Sequence, residues 1–323
     1  KCGRLEKAQE VHDELHFQDV VSWSALISGY SQEGQGYEAL NCFKRLQGTR
    51  ICPDAVTYIC VLKACGIVGS LEIGEEIGAK VRDQKLAEKN VMLGPALVEM
   101  YSKCGAYSKA QQVLEEIFIH TVASWNALMQ GFIEREEYYE VLHCFQQMKN
   151  DRISADETTF VCILKACGTI GSIEKGKEIH EELVHTRWLK DSVIVGNALI
   201  DMYAKCGLME KASELILEIP TRNIIAWNAL ILGYARKGQS QEVLNALACM
   251  QNEGISPNEV TMLHVLRACI QLGKLSEAEM YYENLKRDFC IEPMLEHHTC
   301  IVGALGCGGS FNEAMIVIDK IPK

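Results

Sequence analysis

VVSWSALISGY at residues 20–30, VASWNALMQGF at 122–132 and IIAWNALILGY at 224–234 are one phrase written three times, at a constant offset of 102 residues. Within the first copy Trp23, Leu26, Ile27 and Tyr30 fall three and four apart, the spacing that places side chains on one face of an α-helix. A second apolar run with the same period follows at Ala39, Leu40, Phe43 and Leu46, and the Gly-containing stretch SQEGQ (31–35) interrupts the two. The reading is a helix, a turn and a returning helix.

Further phrases recur at the same offset. VLKACG (61–66), ILKACG (163–168) and VLRACI (265–270) form one set, and ALVEMYSKCG (96–105) with ALIDMYAKCG (198–207) another. Each period therefore holds three amphipathic hairpins. A single hairpin cannot bury its own apolar stripes; stacked neighbours can, and a fixed period of this kind predicts a quasi-one-dimensional array. The expected fold class is all-α, a superhelical solenoid of stacked helix-turn-helix hairpins. No Asn-Gly or Asp-Gly turn marks a β-hairpin, and the 323 residues contain only six prolines.

Fifteen cysteines would suggest a disulfide framework in a small secreted chain, but no pair is spaced C-x-x-C, which removes the usual zinc-ribbon and redox readings. Six of them, at 2, 104 and 206 and at 65, 167 and 269, mark repeat positions, so reduced thiols packed in the core are expected. No apolar run approaches the ~20 residues that span a bilayer, so no membrane partner is expected. The opening residues KCGRLEKAQEV (1–11) read as the middle of a helical unit, and a targeting peptide would have to lie outside them. The formal net charge of −11 argues against generic polyanion binding, because phosphate attraction supplies most non-specific affinity for nucleic acid.

SWNAL, LKACG and MYAKCG, in units of 35, 36 and 31 residues, resemble the pentatricopeptide repeat family, in its plant-type class where regular, long and short repeats alternate. On that pattern the regular repeats are 20–54, 122–156 and 224–258. Long repeats are 55–90, 157–192 and 259–294; short ones are 91–121 and 193–223, with a partial short repeat at 1–19 and a terminal one at 295–323. The resemblance implies the repeat tract of an organelle RNA-editing factor, mitochondrial or chloroplast, in which a carboxy-terminal extension and a zinc deaminase domain would lie beyond Lys323. No cofactor is expected in the tract itself.

The resemblance also implies one base of single-stranded RNA per repeat, selected by the fifth and last residues while the second packs against the base. The selecting pairs carried over are Ser24 with Asp54, Asn126 with Asp156, Asn228 with Asn258 and, in a short repeat, Asn197 with Asn223. Pro95 with Thr121 lacks a polar fifth residue; Thr299 would serve the terminal repeat. Base-packing candidates are Val21, Ala123, Ile194 and Ile225. The family's rule gives guanine for Ser with Asp, uracil for Asn with Asp, and a pyrimidine, usually cytosine first, for Asn with Asn. The expected target is 5′-GNNUNYYNN-3′, with the long repeats as spacers because Ile59, Val161 and Leu263 at their fifth positions form no hydrogen bonds. A plainer account has the Asn residues bonding to backbone inside their own helix, where Asn is a poor helix former.

Lys1, Lys103 and Lys205 recur at the end of the short repeat's first helix, suited either to holding a phosphate or simply to the negative end of a helix dipole. Lys63, Lys165 and Arg267 recur in the long repeats. The three tryptophans at fixed helical slots are expected in the core. His12-Asp13-Glu14 and His180-Glu181-Glu182 match half of a zinc deaminase signature, but no C-x-x-C follows, and no nucleophile–base pair, phosphate loop or metal cluster is legible, so the chain is not read as an enzyme. The competing function is a protein-binding helical-repeat scaffold, and other editing-complex proteins are possible partners under the first reading.

Overall fold

The computed structural model describes residues 5–15, 17–83, 90–117 and 120–319, and all regular structure among them is helical. Contacts group the chain into two units, Lys1–Ile163 and Leu164–Lys323. None of the described helices is long and apolar enough to cross a membrane.

In the first unit, α1 (Leu5–Glu14) leans on α2 (Val20–Gln32), which pairs with α3 (Gly36–Gln47). Then come α4 (Ala55–Val68) with α5 (Leu71–Asp83), α6 (Leu93–Lys103) with α7 (Tyr107–Glu116), and α8 (Val122–Glu134) with α9 (Tyr138–Asn150). The first helices of successive hairpins pack side by side, α2 on α4, α4 on α6 and α6 on α8. The next helix, α10 (Glu157–Ile170), begins in this unit.

The second unit repeats the scheme. After α11 (Ile173–His185) and the single turn α12 (Trp188–Asp191) come α13 (Val193–Lys205) with α14 (Met209–Glu218), α15 (Ile224–Arg236) with α16 (Ser240–Asn252), α17 (Glu259–Gln271) with α18 (Leu275–Asp288), and α19 (Leu295–Cys307) with α20 (Phe311–Asp319). Again α13 packs on α15, α15 on α17 and α17 on α19.

Most first helices begin at the residue expected to open a repeat: Val20, Ala55, Val122, Glu157, Val193, Ile224, Glu259 and Leu295. The exception is α6, which starts at Leu93 rather than at 91. Proline lacks the N–H that a helix interior needs, and the later start brings Pro95 into the first turn, where that N–H has no partner in any helix. Inside the hairpins the chain reverses through a left-handed residue: Gly34 (φ 75°) and Gly238 (φ 69°) in two regular repeats, and in the third, at the same place, Glu136 (φ 60°).

Trp23, Trp125 and Trp227 are buried, as are Cys65, Cys167 and Cys269, so these recurring residues are core and not stacking platforms. The described cysteines are free thiols. Burial pushes Cys65 and Cys167 up to about 12 and Cys269 up to about 11. The two His-x-Glu motifs sit in second helices: His12 packs edge-on against Trp23, and His180 Nδ1 lies 2.9 Å from the Tyr203 hydroxyl.

Candidate nucleic-acid interface

The last residue of each repeat is also the cap of the next repeat's first helix. The first N–H groups of a helix have no partner within it, and a side-chain oxygen just ahead of them supplies one. Asp54 accepts from Thr57 N at 2.8 Å at the start of α4, Asp156 from Thr159 N at 2.9 Å at α10, and Asn258 from Thr261 N at 3.1 Å at α17. Thr159 and Thr261 reciprocate, their hydroxyls accepting from Asp156 N and Asn258 N at 3.2 Å each. These caps set the last residue of one repeat beside the fifth residue of the same repeat.

The fifth residue then closes a three-membered cluster. Asn126 Nδ2 donates to Asp156 Oδ1 at 2.9 Å, and Thr159 Oγ1 donates to Asn126 Oδ1 at 2.7 Å. Asn228 Nδ2 donates to Asn258 Oδ1 at 3.1 Å, and Thr261 Oγ1 to Asn228 Oδ1 at 2.6 Å. Ser24 Oγ lies 2.6 Å from Thr57 Oγ1 and 3.4 Å from Asp54 Oδ1, and also donates to Val20 O at 2.7 Å. Backbone bonding inside the helix is thus part of the account for Ser24, whereas the Asn126 and Asn228 amides turn to the next repeat's cap. The threonines are a component that the sequence reading overlooked. The signal was there: Thr57, Thr159 and Thr261 stand at the same 102-residue offset.

In each cluster the cap engages only one terminal atom of the last residue. Among the described residues, Asp54 Oδ2, Asp156 Oδ2 and Asn258 Nδ2 have no partner, and neither does the second N–H of Asn126 or Asn228. The first two atoms are acceptors and the third a donor. One residue from the start of α2, α8 and α15, Val21, Ala123 and Ile225 are exposed, Val21 by 67% and Ile225 by 61%, although burial is the ordinary state of large apolar side chains such as these two. Ile194, at the same place in α13, is 59% exposed.

The short repeats differ. Asn223 caps α15 by accepting from Ile225 N at 3.0 Å and Ala226 N at 3.1 Å, but Ala226 stands where the threonines stand elsewhere. Asn197 is buried, and among the described residues its Oδ1 has no partner. Thr121 turns to Ser124, its Oγ1 accepting from Ser124 N at 3.2 Å, and Pro95 is buried in α6. Thr299 is exposed, and its hydroxyl donates to Glu296 O at 3.1 Å within α19. The structure gathers three expected pairs into clusters and leaves Asn197, Pro95 and Thr299 outside any.

Lys1 lies outside the described residues. Lys103 and Lys205 do end α6 and α13, but each pairs with an acid one turn back on its own helix, Glu99 and Asp201, at 2.6 Å. Lys63 and Lys165 are exposed and form no ion pair among the described residues. Each lies seven residues after the exposed Val56 or Thr158, which is two helical turns along the same face.

The PPR repeat family profile matches residues 18–66, 120–169 and 222–271, and a second profile described as PPR repeat matches 197–224 and 260–288. Two mitochondrial pentatricopeptide repeat-containing proteins of Arabidopsis thaliana are each 32% identical, one over 342 aligned residues and the other over 323. Both alignments cover all of this chain, and they cover 38% and 47% of those relatives. A third from the same plant is 33% identical, covering 99% of this chain and 57% of the relative. The chain thus spans about half the length of the relatives it matches. The crystal structure of the pentatricopeptide repeat protein PPR10 from maize superposes with a TM-score of 0.62 at 17% identity, over 98% of this chain and 51% of that one, a likeness of fold. The chain belongs to the pentatricopeptide repeat family.

Proposed function

We propose that this tract binds single-stranded RNA one base per repeat, with Ser24–Asp54, Asn126–Asp156 and Asn228–Asn258 selecting the base. The observation that carries this reading is the cluster at Asn126, Asp156 and Thr159. The cap at the start of α10 fixes which atom of Asp156 stays free, and α8, the first helix of the repeat, supplies the exposed Ala123 to pack on a base.

The chemistry of selection follows from the free atoms. At Asp156 the free Oδ2 accepts, and the spare N–H of Asn126 donates, which matches the N3–H and a carbonyl of uracil. Asn258 presents Nδ2 in the same position; a donor there meets cytosine N3 and repels uracil N3–H. Ser24 is smaller than Asn and leaves room for a purine, and Asp54 Oδ2 accepts the N–H groups on the Watson–Crick edge of guanine. Lys63, Lys165 and Arg267, exposed on the first helices of the long repeats, provide cations for the phosphates despite the overall acidity. The target is 5′-GNNUNYYNN-3′, with Val21, Ala123, Ile194 and Ile225 packing on bases.

In this reading the whole protein is an organelle RNA-processing factor with alternating regular, long and short repeats. Its process is cytidine-to-uridine editing, with the deaminase in a carboxy-terminal domain or on a partner of the editing complex. Two relatives named mitochondrial favour that organelle. The test is the affinity of this chain, at two salt concentrations, for 5′-GAAUACCAA-3′ and for the same RNA with G and U exchanged. The expected preference for the first is about tenfold, roughly 1.4 kcal/mol over two altered contacts. Equal, weak binding to both would end the base-reading account and favour a protein-binding scaffold.

A further inference from the structure

We propose that the groove between α17 and α19 receives the base of the eighth nucleotide of a bound RNA, with the adjoining phosphate at Arg267. The inference rests on the RNA-binding reading above and adds a place where a base is held without being chosen.

The groove has a volume of about 630 Å³, and Ile270, Leu275, Cys300, Ala304 and Cys307 give it an apolar lining. It exists because the last hairpin has lost side-chain bulk on the face that meets its neighbour. Glu99, Met100, Lys103 and Cys104 on α6 correspond, at the 102-residue offset, to Asp201, Met202, Lys205 and Cys206 on α13, and then to Gly303, Ala304, Cys307 and Gly308 on α19. In the two earlier hairpins the lysine, paired with its acid, lies over a glycine of the preceding long repeat. A Cβ on Gly66 would meet the Lys103 methylenes at 3.0 Å, and one on Gly168 those of Lys205 at 3.4 Å. On α19 neither the lysine nor its acid is present, and Ile270 stands in the place of those glycines. A Cβ on Gly303 would meet nothing within 4 Å. Helices ordinarily pack without such gaps, so the groove leaves apolar surface that a ring can remove from water.

Charge indicates what the ring belongs to. The chain carries a net charge of −11, yet none of the residues lining the groove is acidic, and Arg267 stands among them. Arg267 reaches the Cys300 thiol and, like Arg236 at the end of α15, forms no ion pair among the described residues. Both also act on His264 of α17: burial, and then Arg267 and Arg236, hold its imidazole below the usual pKa. The corresponding places hold Gln32, Cys60 and Lys63 in the first regular and long repeats and Glu134, Cys162 and Lys165 in the second, so only the third set is basic at all three. An apolar slot with unopposed cations at its rim suits a flat ring that carries an anion, as a nucleotide does, and bases of single-stranded RNA are free to splay out. The groove lies between the repeats at 259–294 and 295–323, the eighth and ninth from Val20, and the eighth has Leu263 at its fifth position, so no selecting pair competes for that base.

The experiment compares dissociation constants of the full 323-residue chain for 5′-GAAUACCAA-3′ and for versions lacking the base at nucleotide 8 or at nucleotide 5. Nucleotide 5 falls on the long repeat whose neighbour keeps Met202 and Lys205. Removing base 8 should weaken binding by about tenfold, and removing base 5 by less than about twofold. Cys307 is exposed and lines the groove, so intact RNA should slow its alkylation by iodoacetamide, and RNA without base 8 should not. Gly303→Asp combined with Cys307→Lys puts back the acid–lysine pair of α13 at no change in net charge. That chain should bind intact RNA only as tightly as the unaltered chain binds RNA lacking base 8.

Equal losses for bases 5 and 8, or alkylation of Cys307 at the same rate with and without bound RNA, overturn the inference; base reading survives if exchanging G1 and U4 still costs affinity. Protection of Cys307 by adenosine 5′-monophosphate but not by RNA assigns the groove to free nucleotides and overturns it as well. Binding indifferent to base 8 and to the G–U exchange overturns base reading itself, and this inference with it. If circular dichroism shows that the doubly substituted chain has lost its helix content, the comparison of bases 5 and 8 on the unaltered chain decides alone.

Discussion

Asn126 Nδ2 donates to Asp156 Oδ1 at 2.9 Å across 30 residues of sequence, and the same carboxylate oxygen accepts from Thr159 N as the cap of the next helix. One oxygen is thereby committed to structure, and under the proposed base reading the chemical character of the other terminal atom decides what a bound base must present.

Replacing Asp156 by Asn tests that division directly. Asn is as good a helix cap as Asp, so α10 should keep its start and the thermal midpoint should hardly move. The free atom changes from Oδ2 to Nδ2, from acceptor to donor, as at Asn258. Binding measured with U or C at the fourth nucleotide should shift from favouring U to favouring C, a total change of about tenfold or more, in line with the ~1–3 kcal/mol of a good two-point base contact. Retention of the uracil preference would mean that the exposed carboxylate oxygen does not read the base.

The turn between α8 and α9 holds a non-glycine residue in a left-handed conformation. Glu136 has φ 60°, where its counterparts at the 102-residue offset are Gly34 and Gly238. A side chain costs on the order of 1 kcal/mol there, and glycine recovers it less the extra freedom it gives the unfolded chain. Glu136→Gly should therefore raise the urea midpoint, by a stability gain of about 0.5–1 kcal/mol; a lower midpoint would show that the exposed Glu136 side chain does something this account misses.

Cysteine reactivity should divide by burial. Thiolate is the reactive form, and burial pushes Cys65, Cys144 and Cys167 up to about 12, so almost none is ionised at pH 8. Cys52, Cys249, Cys290 and Cys307 are exposed. Iodoacetamide on the native chain, followed by peptide mass spectrometry, should modify these four first and reach the buried three only after denaturant is added. Raising the pH from 7 to 9 should leave the buried ones nearly silent. Early modification of Cys65 or Cys167 would point to hairpins that open readily.

Much of this fold is written in one dimension. Helical spacing in SWSALISGY defines an apolar stripe and the SQEGQ break turns the chain, both local facts, and recurrence at the 102-residue offset requires neighbours that stack alike. The burial of Trp23, Trp125 and Trp227 and of Cys65, Cys167 and Cys269 follows from the same stripe. The start of α6 was less legible, since the reading of its boundary took the repeat length and not the demand of Pro95 for a place in the first turn.

What only the tertiary structure decided is which side chains act together. Ser24, Asp54 and Thr57, like Asn126, Asp156 and Thr159, come from two successive helices, and their meeting depends on how closely one hairpin packs on the next. Lys103 and Lys205 pair with acids one turn back on their own helices, contacts already written in the sequence as Glu99 with Lys103 and Asp201 with Lys205, whereas Lys63 and Lys165 form no ion pair among the described residues. Sequence determined the helices and their order because those depend on local periodicity. The orientation of the Asn126 amide follows from hydrogen bonds whose donors and acceptors are 30 and 33 residues apart, and these exist only once the hairpins have stacked.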